Sequence, residues 1–402
     1  MTYPLPKPAA HEPSPPLTIG VVAYEMEGES TGVGRYLDGL LGGVAADESR
    51  AHWRWRLFFK GRPFAHPLWG AEIDSEPDDE ARFQPIFDMR PEARAIPWEQ
   101  FRLPRLMRRH KLDVVFSPSY SLPAWLEPPS VVTIHDLSFE HRGDELSFRE
   151  RHRRRFLARR AARAATRVLT DTPQVAEELI STYRLPSKKV AVVPLGVDER
   201  FFRRGNEDEA ADVDRLAALG VRPPYLLYVG TMFERRRPDL VMTAATAVLR
   251  SDLDAQMVLV GANRLRDPER LERLIAEAGL GDRLVRLGYV DEGMLPRLLR
   301  QARLTLYLSE YEGYGLPPLE ALAAGTPTVV ANGLALDHLW HDYPLRVPAL
   351  EPQPVRTTVL RAWNDEILRH RVGGDGIERM ARLTWSEAAE RLQQELAKAA
   401  KS

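Results

Sequence analysis

Cysteine is absent from the 402 residues, so this chain can use neither disulfides nor thiolate chemistry. That absence mildly favours a reducing compartment. Lysine is scarce among the 56 basic residues, and arginine carries most of the positive charge. No apolar run approaches the roughly 20 residues that a membrane-spanning helix needs. Acid and base nearly cancel, at a net charge of −1, which gives the whole molecule no pull towards a polyanion. Nucleic acid is therefore not an expected partner. The first residues, MTYPLPKPAAHEPSPPL, hold one lysine, many prolines and no apolar stretch, unlike a secretory leader. They predict a flexible lead over residues 1–16 and a cytoplasmic protein. The ten histidines show no H-x-x-x-H spacing and give no zinc site.

What is present is ample apolar material, 44% of residues, arranged as short runs that alternate with helix-length segments. That alternation predicts a parallel α/β architecture. The first series of strands is expected at 17–23, 53–59, 114–116, 131–134, 167–170 and 190–193, with helices over 35–46 and 148–165 between them. A charged, turn-rich stretch follows, reading as a linker with a lead-in helix. A second series then runs 225–230, 255–261, 284–289, 304–309 and 327–332. Two doubly wound, Rossmann-like domains facing across a cleft are the expected fold. The boundaries are a lead over 1–16, a first domain over 17–199, a linker over 200–222, a second domain over 223–383 and a terminal helix over 384–402, capped by Ser386.

The most informative string is SEYEGYGLPPLEALAAGTP, residues 309–327. Glu312 stands just past a buried strand, where α/β folds bind ligands. Gly313 and Gly315 let the backbone turn and approach a ligand closely. Pro317 and Pro318 suit a helix's first turn, and Gly325 suits its end. The free amides of such a helix start favour phosphate. Glu320, in the same helix, can reach a pair of ribose hydroxyls. Either glutamate alone reads as an ordinary surface acid; the string as a whole reads as a site for an elongated ligand with hydroxyls at both ends, such as a nucleotide sugar.

That string, with RLGYVDEGMLPRLLRQA before it and VVPLGVD (192–198) at the domain junction, resembles the retaining glycosyltransferases of family 4, the glycosyl transferases group 1. Their fold is GT-B, in which a C-terminal helix crosses back to the first domain. The resemblance implies an acceptor-side first domain and a nucleotide-sugar (donor) second domain. It places Glu312 near the donor sugar and Glu320 on the ribose, with the amides of Tyr314, Gly315 and Leu316 on sugar hydroxyls and diphosphate. In GTMFERRRPD (230–239), Gly230 opens the loop and Arg235 matches the family's arginine. Arg236 stands where lysine is usual, and Arg237 where asparagine is. Guanidinium would neutralise a departing diphosphate, although arginine and lysine differ at a tight site. TGVGRYLDGLL (31–41) implies Gly32 and Gly34 beside the donor diphosphate. VVTIHDLSFE (131–140) implies His135 against the sugar, with Asp136 either orienting the imidazole or capping a turn. LTWSEAA makes Trp385 a packing anchor.

The implied activity is transfer of a sugar from a nucleoside diphosphate sugar to an acceptor hydroxyl with retention. GDP-mannose is the first expected donor and a UDP-sugar the alternative. No metal or other cofactor is expected; the string Asp212-Val213-Asp214 lies in the linker and Asp252-Leu253-Asp254 at a strand's entry, neither at a strand's carboxyl end. The acceptor would be a glycan or a lipid-linked saccharide. The basic run 148–167 reads first as a solvated helix face and second as a peripheral contact with anionic membrane. A non-catalytic nucleotide-sugar-binding protein of the same fold is the competing class, motivated by Arg236, and a sugar-nucleotide epimerase is a third.

Overall fold

The computed structural model describes residues 15–28, 31–70, 80–141, 146–202, 209–291, 293–333 and 335–402. The lead expected over 1–16 falls, for residues 1–14, outside the described residues.

Two parallel sheets organise the chain. The first has seven strands: β1 (Thr18–Val22), β2 (Arg54–Phe59), β3 (Phe83–Phe87), β4 (Val114–Ser117), β5 (Ser130–Thr133), β6 (Arg167–Thr170) and β7 (Val190–Val192). Their order is β3-β2-β1-β4-β5-β6-β7. The second has β8 (Tyr225–Val229), β9 (Gln256–Val260), β10 (Leu284–Leu287), β11 (Leu304–Tyr307) and β12 (Thr328–Val330), in the order β10-β9-β8-β11-β12. Each order reverses once, at β1/β4 and at β8/β11. Loops leaving the carboxyl ends of those strand pairs diverge, and a crevice opens between them. Central strands such as β4 and β11 are buried along their whole length, as expected where helices cover both faces of a sheet.

The sequence predicted every strand but β3. Phe-Gln-Pro-Ile-Phe is short and carries Pro85, which cannot donate to a ladder. Such a strand is tolerated at an edge, and β3 is an edge strand of its sheet. Inside the expected linker, helix Glu209–Ala217 forms; residues 203–208 lie outside the described residues. Its Asp212 is fully buried, pairs with Arg297 and accepts from Arg300 Nη2 at 2.8 Å. The first D-x-D string thus ties a helix to the second domain. Asp252 lies at the entry to β9, where it accepts from Trp363 Nε1 at 3.1 Å.

The C-terminal helix Trp385–Ala400 returns to the first domain and packs along helix Gly32–Ala46. Its cap differs from expectation. Thr384, not Ser386, accepts from Glu387 N at 3.1 Å, because the helix begins at Trp385 and leaves Ser386 inside the first turn. Trp385 does anchor the crossing. A Cβ on Gly39 would lie 2.3 Å from its ring, and one on Gly196 2.4 Å from its backbone, so only glycine admits the indole there.

Candidate active site

The second domain contributes two loops at its crevice, after β8 and after β11. The first begins at Gly230, whose φ of +127° only glycine adopts freely. A Cβ there would lie 2.4 Å from Arg236 Nη1. The missing side chain thus lets Arg236 fold back over its own loop, where Nη1 donates to Thr231 O at 2.9 Å. Its Nη2 donates to Tyr307 Oη at 2.9 Å and its Nε to Glu312 Oε1 at 2.9 Å. Arg236 therefore spends donors from all three nitrogens on the protein.

Glu312 also accepts from Ser309 Oγ at 3.0 Å, and Arg235 Nε lies 3.5 Å from the same carboxylate oxygen. Burial pushes the Glu312 carboxyl up, but Arg236 and Arg235 outweigh it and hold it below the usual range. Burial likewise opposes the Arg236 charge, yet Tyr307 and Glu312 drive its pKa up. Both groups are ionised at neutral pH. Arg237 serves structure instead: in a left-handed conformation, it donates to Asp239 Oδ2 at 2.7 Å and to Leu350 O at 3.0 Å.

The loop after β11 then crosses to the first domain. Gly313 sits so close that a Cβ would lie 1.9 Å from His135 O. Tyr311 Oη accepts from Leu137 N at 2.9 Å and donates to Glu178 at 2.8 Å. Tyr314 is buried and donates to Leu195 O at 2.9 Å, and its carbonyl accepts from Ala335 N at 3.0 Å. Gly315, at φ +83°, starts helix Leu316–Ala323, with prolines in its first turn. Glu320 in that helix is buried and pairs with Arg35 of the first domain. Gly325, at φ +78°, ends the element as its sequence implied.

The first domain's crevice carries the other expected residues. Gly32 faces open space. Gly34 is held by a close approach: a Cβ would lie 2.5 Å from Glu25 O. Its amide is already taken by the capping Thr31 Oγ1 at 2.9 Å. His135 follows β5 as expected, but both ring nitrogens are engaged. Nδ1 lies 2.7 Å from Asp171 Oδ2 and Nε2 lies 3.0 Å from Pro118 O. A carbonyl only accepts, so Nε2 carries a proton, and the pair with Asp171 holds another. Burial lowers the imidazole's pKa, but Asp171 outweighs it and the net direction is up.

Asp136 caps a turn, accepting from Ser138 N at 2.8 Å and Ser138 Oγ at 2.7 Å. Asp171 orients the imidazole. The sequence reading missed Asp171, although Thr170-Asp171-Thr172 placed an acid at a strand's carboxyl end, the same signal that found Glu312.

Two cavities adjoin these loops. One, of about 210 Å³, lies at the domain junction, lined among others by Arg35, Asp38, His66, Leu316 and Glu320. The other, of about 380 Å³, lies over the ends of β8, β9 and β10, lined by Gly230, Gly261, Asn263, Arg286 and Gly288 among others. The second was not foreseen, although its signal was present: the three strand runs YVG, LVG and RLG each end on glycine. Among the described residues no group of three or more His, Asp or Glu is placed to hold a metal ion.

Residues 32–201 match the family described as glycosyltransferase family 4, and residues 217–378 match glycosyl transferases group 1. A D-inositol 3-phosphate glycosyltransferase of Catenulispora acidiphila is 32% identical over 57% of this chain and 56% of its own length. An O-antigen chain mannosyltransferase B of Escherichia coli is 26% identical over 69% of this chain and 72% of its own length. The chain thus spans only about half of the first of these relatives. Among solved structures, sucrose-phosphate synthase from Thermosynechococcus elongatus superposes with a TM-score of 0.72 over 95% of this chain and 98% of its own, at 20% identity. The Anabaena protein HepE in complex with UDP and glucose does so with 0.69, over 95% and 100%, at 15% identity. These likenesses establish the two-domain GT-B fold.

Proposed function

The chain belongs to the family 4 glycosyltransferases, the glycosyl transferases group 1, and from that premise we propose that it moves a sugar from a nucleoside diphosphate sugar to an acceptor hydroxyl with retention. One observation carries the reading: an ionised, largely buried Glu312 held against Arg235 and Arg236, beside a helix N-terminus and at the β8/β11 crevice. That is the arrangement a diphosphate leaving group needs. Cationic groups are already in place where charge develops, so little reorganisation is required during the reaction.

In this mechanism the bond between sugar C1 and the diphosphate oxygen breaks. Arg235, Arg236 and the amides of Gly315 and Leu316 take up the charge on the departing diphosphate. The acceptor oxygen bonds to C1 on the face the diphosphate leaves, and its proton passes to a phosphate oxygen. Glu312 faces the oxocarbenium-like carbon and its hydroxyls. His135, held as a donor by Asp171, meets the sugar from the other domain, which requires one of its two present hydrogen bonds to open. Glu320 takes the ribose. The nucleobase enters the cavity over β8–β10, between Leu271 and the strand-end glycines. The arginines and helix amides do the work of a metal ion.

GDP-mannose is the first donor proposed, supported by the E. coli mannosyltransferase among the relatives, and a UDP-sugar is the alternative. The acceptor is a glycan or lipid-linked saccharide. All exposed Phe and Trp side chains among the described residues, Phe101, Trp125, Phe148 and Phe156, lie in or beside the arginine-rich segments 101–111 and 148–164. That composition suits a peripheral contact with anionic lipid. Incubating the full chain with each labelled donor, with and without EDTA, over a panel of lipid-linked and free saccharides tests the proposal. An α-linked product from one donor class, unaffected by EDTA, is expected; donor binding with no transfer to any acceptor would overturn it. That last outcome belongs to a second reading, a non-catalytic nucleotide-sugar-binding protein. It is favoured by the engagement of all three Arg236 nitrogens with Glu312, Thr231 and Tyr307.

A further inference from the structure

Glu320, the carboxylate read above as the ribose ligand, is nearly inaccessible in this arrangement, its side chain 3% exposed. The group covering it is Arg35, from the first turns of the opposing domain's helix Gly32–Ala46. Burying a lone carboxylate is costly, and a guanidinium relieves that cost. Two hydroxyls of a ribose would relieve it as well, so the two compete for one acceptor.

We propose that Arg35 is an internal competitor for the donor site, a positioning residue that holds Glu320 and yields it when a nucleotide binds. The proposal rests on the reading of Glu320 as the ribose ligand. Three further features of the structure support an exchange over a fixed tie. First, the pair lines the cavity of about 210 Å³ at the domain junction, so a ligand has room to enter beside it. Second, the Arg35 side chain keeps 28% exposure and can turn towards solvent without burying its charge. Third, Arg35 has a second foothold: its guanidinium lies 5.6 Å from the Phe201 ring centroid, a cation–π contact that survives loss of the carboxylate.

Nucleotide binding and domain arrangement are then coupled through one side chain. While Arg35 and Glu320 stay paired across the crevice, only the unpaired fraction is competent to bind, and the apparent affinity falls by that fraction. Releasing the pair also returns a cation to the first domain's wall of the cavity, beside Asp38 and His66, where an acceptor would meet it. A donor-first order of binding follows.

The test is calorimetric titration of the full chain with GDP and with UDP, for the wild type, Arg35→Ala, Arg35→Gln, Glu320→Gln and the Arg35→Gln/Glu320→Gln double variant. Thermal melts of each ligand-free protein confirm folding. Relief of the competition is expected to tighten binding roughly fivefold in either Arg35 variant. The same change made in the Glu320→Gln background should have no further effect, because the two residues act as one unit. A purely structural tie would lower the melting temperature and leave nucleotide affinity unchanged, which overturns the proposal. Weaker binding in both Arg35 variants would also overturn it, making Arg35 a ligand contact. If the wild type binds neither nucleotide, the functional reading itself fails; binding by the wild type with no tightening in the variants sinks only the inference.

Discussion

At the scale of single residues, charge is balanced locally before any ligand arrives. Glu312 is largely buried against two guanidiniums, its side chain 10% exposed, and Gln in its place would remove the carboxylate that both face. Glu312→Gln is expected to lower stability by about 3 kcal/mol and turnover by about 100-fold or more. Chemical denaturation beside initial-rate assays checks the two effects separately. The His135–Asp171 pair makes a pH prediction. His135's folded pKa lies above its ordinary 6.5, so the stability it contributes is complete below about 6.5 and is lost as pH rises through the folded value. Asp171 is also raised, by burial first, so its own contribution is complete below about 3.8 and is lost as pH rises through its folded value, a window that opens below the histidine's. Asp171→Asn removes the charge that holds the imidazole's proton. Urea midpoints measured from pH 6 upwards should fall for the wild type and lose that component in the variant. Of these residues, the sequence made Glu312, Arg235, Arg236, Glu320 and His135 legible, because each follows a strand or sits in a motif. Their partners were not legible. Asp171 and Arg35 lie 36 and 285 residues from the groups they bind, and only the fold brings them together.

At the scale of elements, the turn Tyr311–Gly315 is a splice between domains. It carries Glu312 towards Arg236 while Tyr311, Gly313 and Tyr314 rest on the first domain. Gly313→Ala is expected to force the two loops apart, since its Cβ would lie 1.9 Å from His135 O, far inside contact distance. Turnover should fall by about 100-fold, as for other losses of alignment of this size, with far-ultraviolet circular dichroism unchanged; steady-state kinetics on the folded variant checks it. Strand positions were readable from apolar runs because both sheets are covered on both sides. β3 escaped because one proline and an edge position remove the signal. The cap of the last helix was misassigned by two residues, since Thr384 and Ser386 are chemically alike and only the helix start separates them. The glycines ending β8, β9 and β10 were visible in the sequence. Their meaning as the rim of one cavity depended on strand order.

At the scale of the molecule, the two crevices meet where each sheet reverses its strand order, and the contacts between them come from both sides. Arg35 with Glu320, Thr172 with Gly313, Leu137 with Tyr311 and Leu195 with Tyr314 all cross the junction. The C-terminal helix adds a second crossing through Trp385. A ligand bridging the crevice therefore replaces existing contacts as well as adding new ones, and its affinity reports the difference.

The most direct test of the account is calorimetric titration of the full chain with GDP and UDP, comparing the wild type with Glu320→Gln. Saturable one-to-one binding of one nucleotide class is expected, with a matching rise in melting temperature and at least tenfold weaker binding in Glu320→Gln. Failure of both GDP and UDP to bind the folded wild type would overturn the donor site.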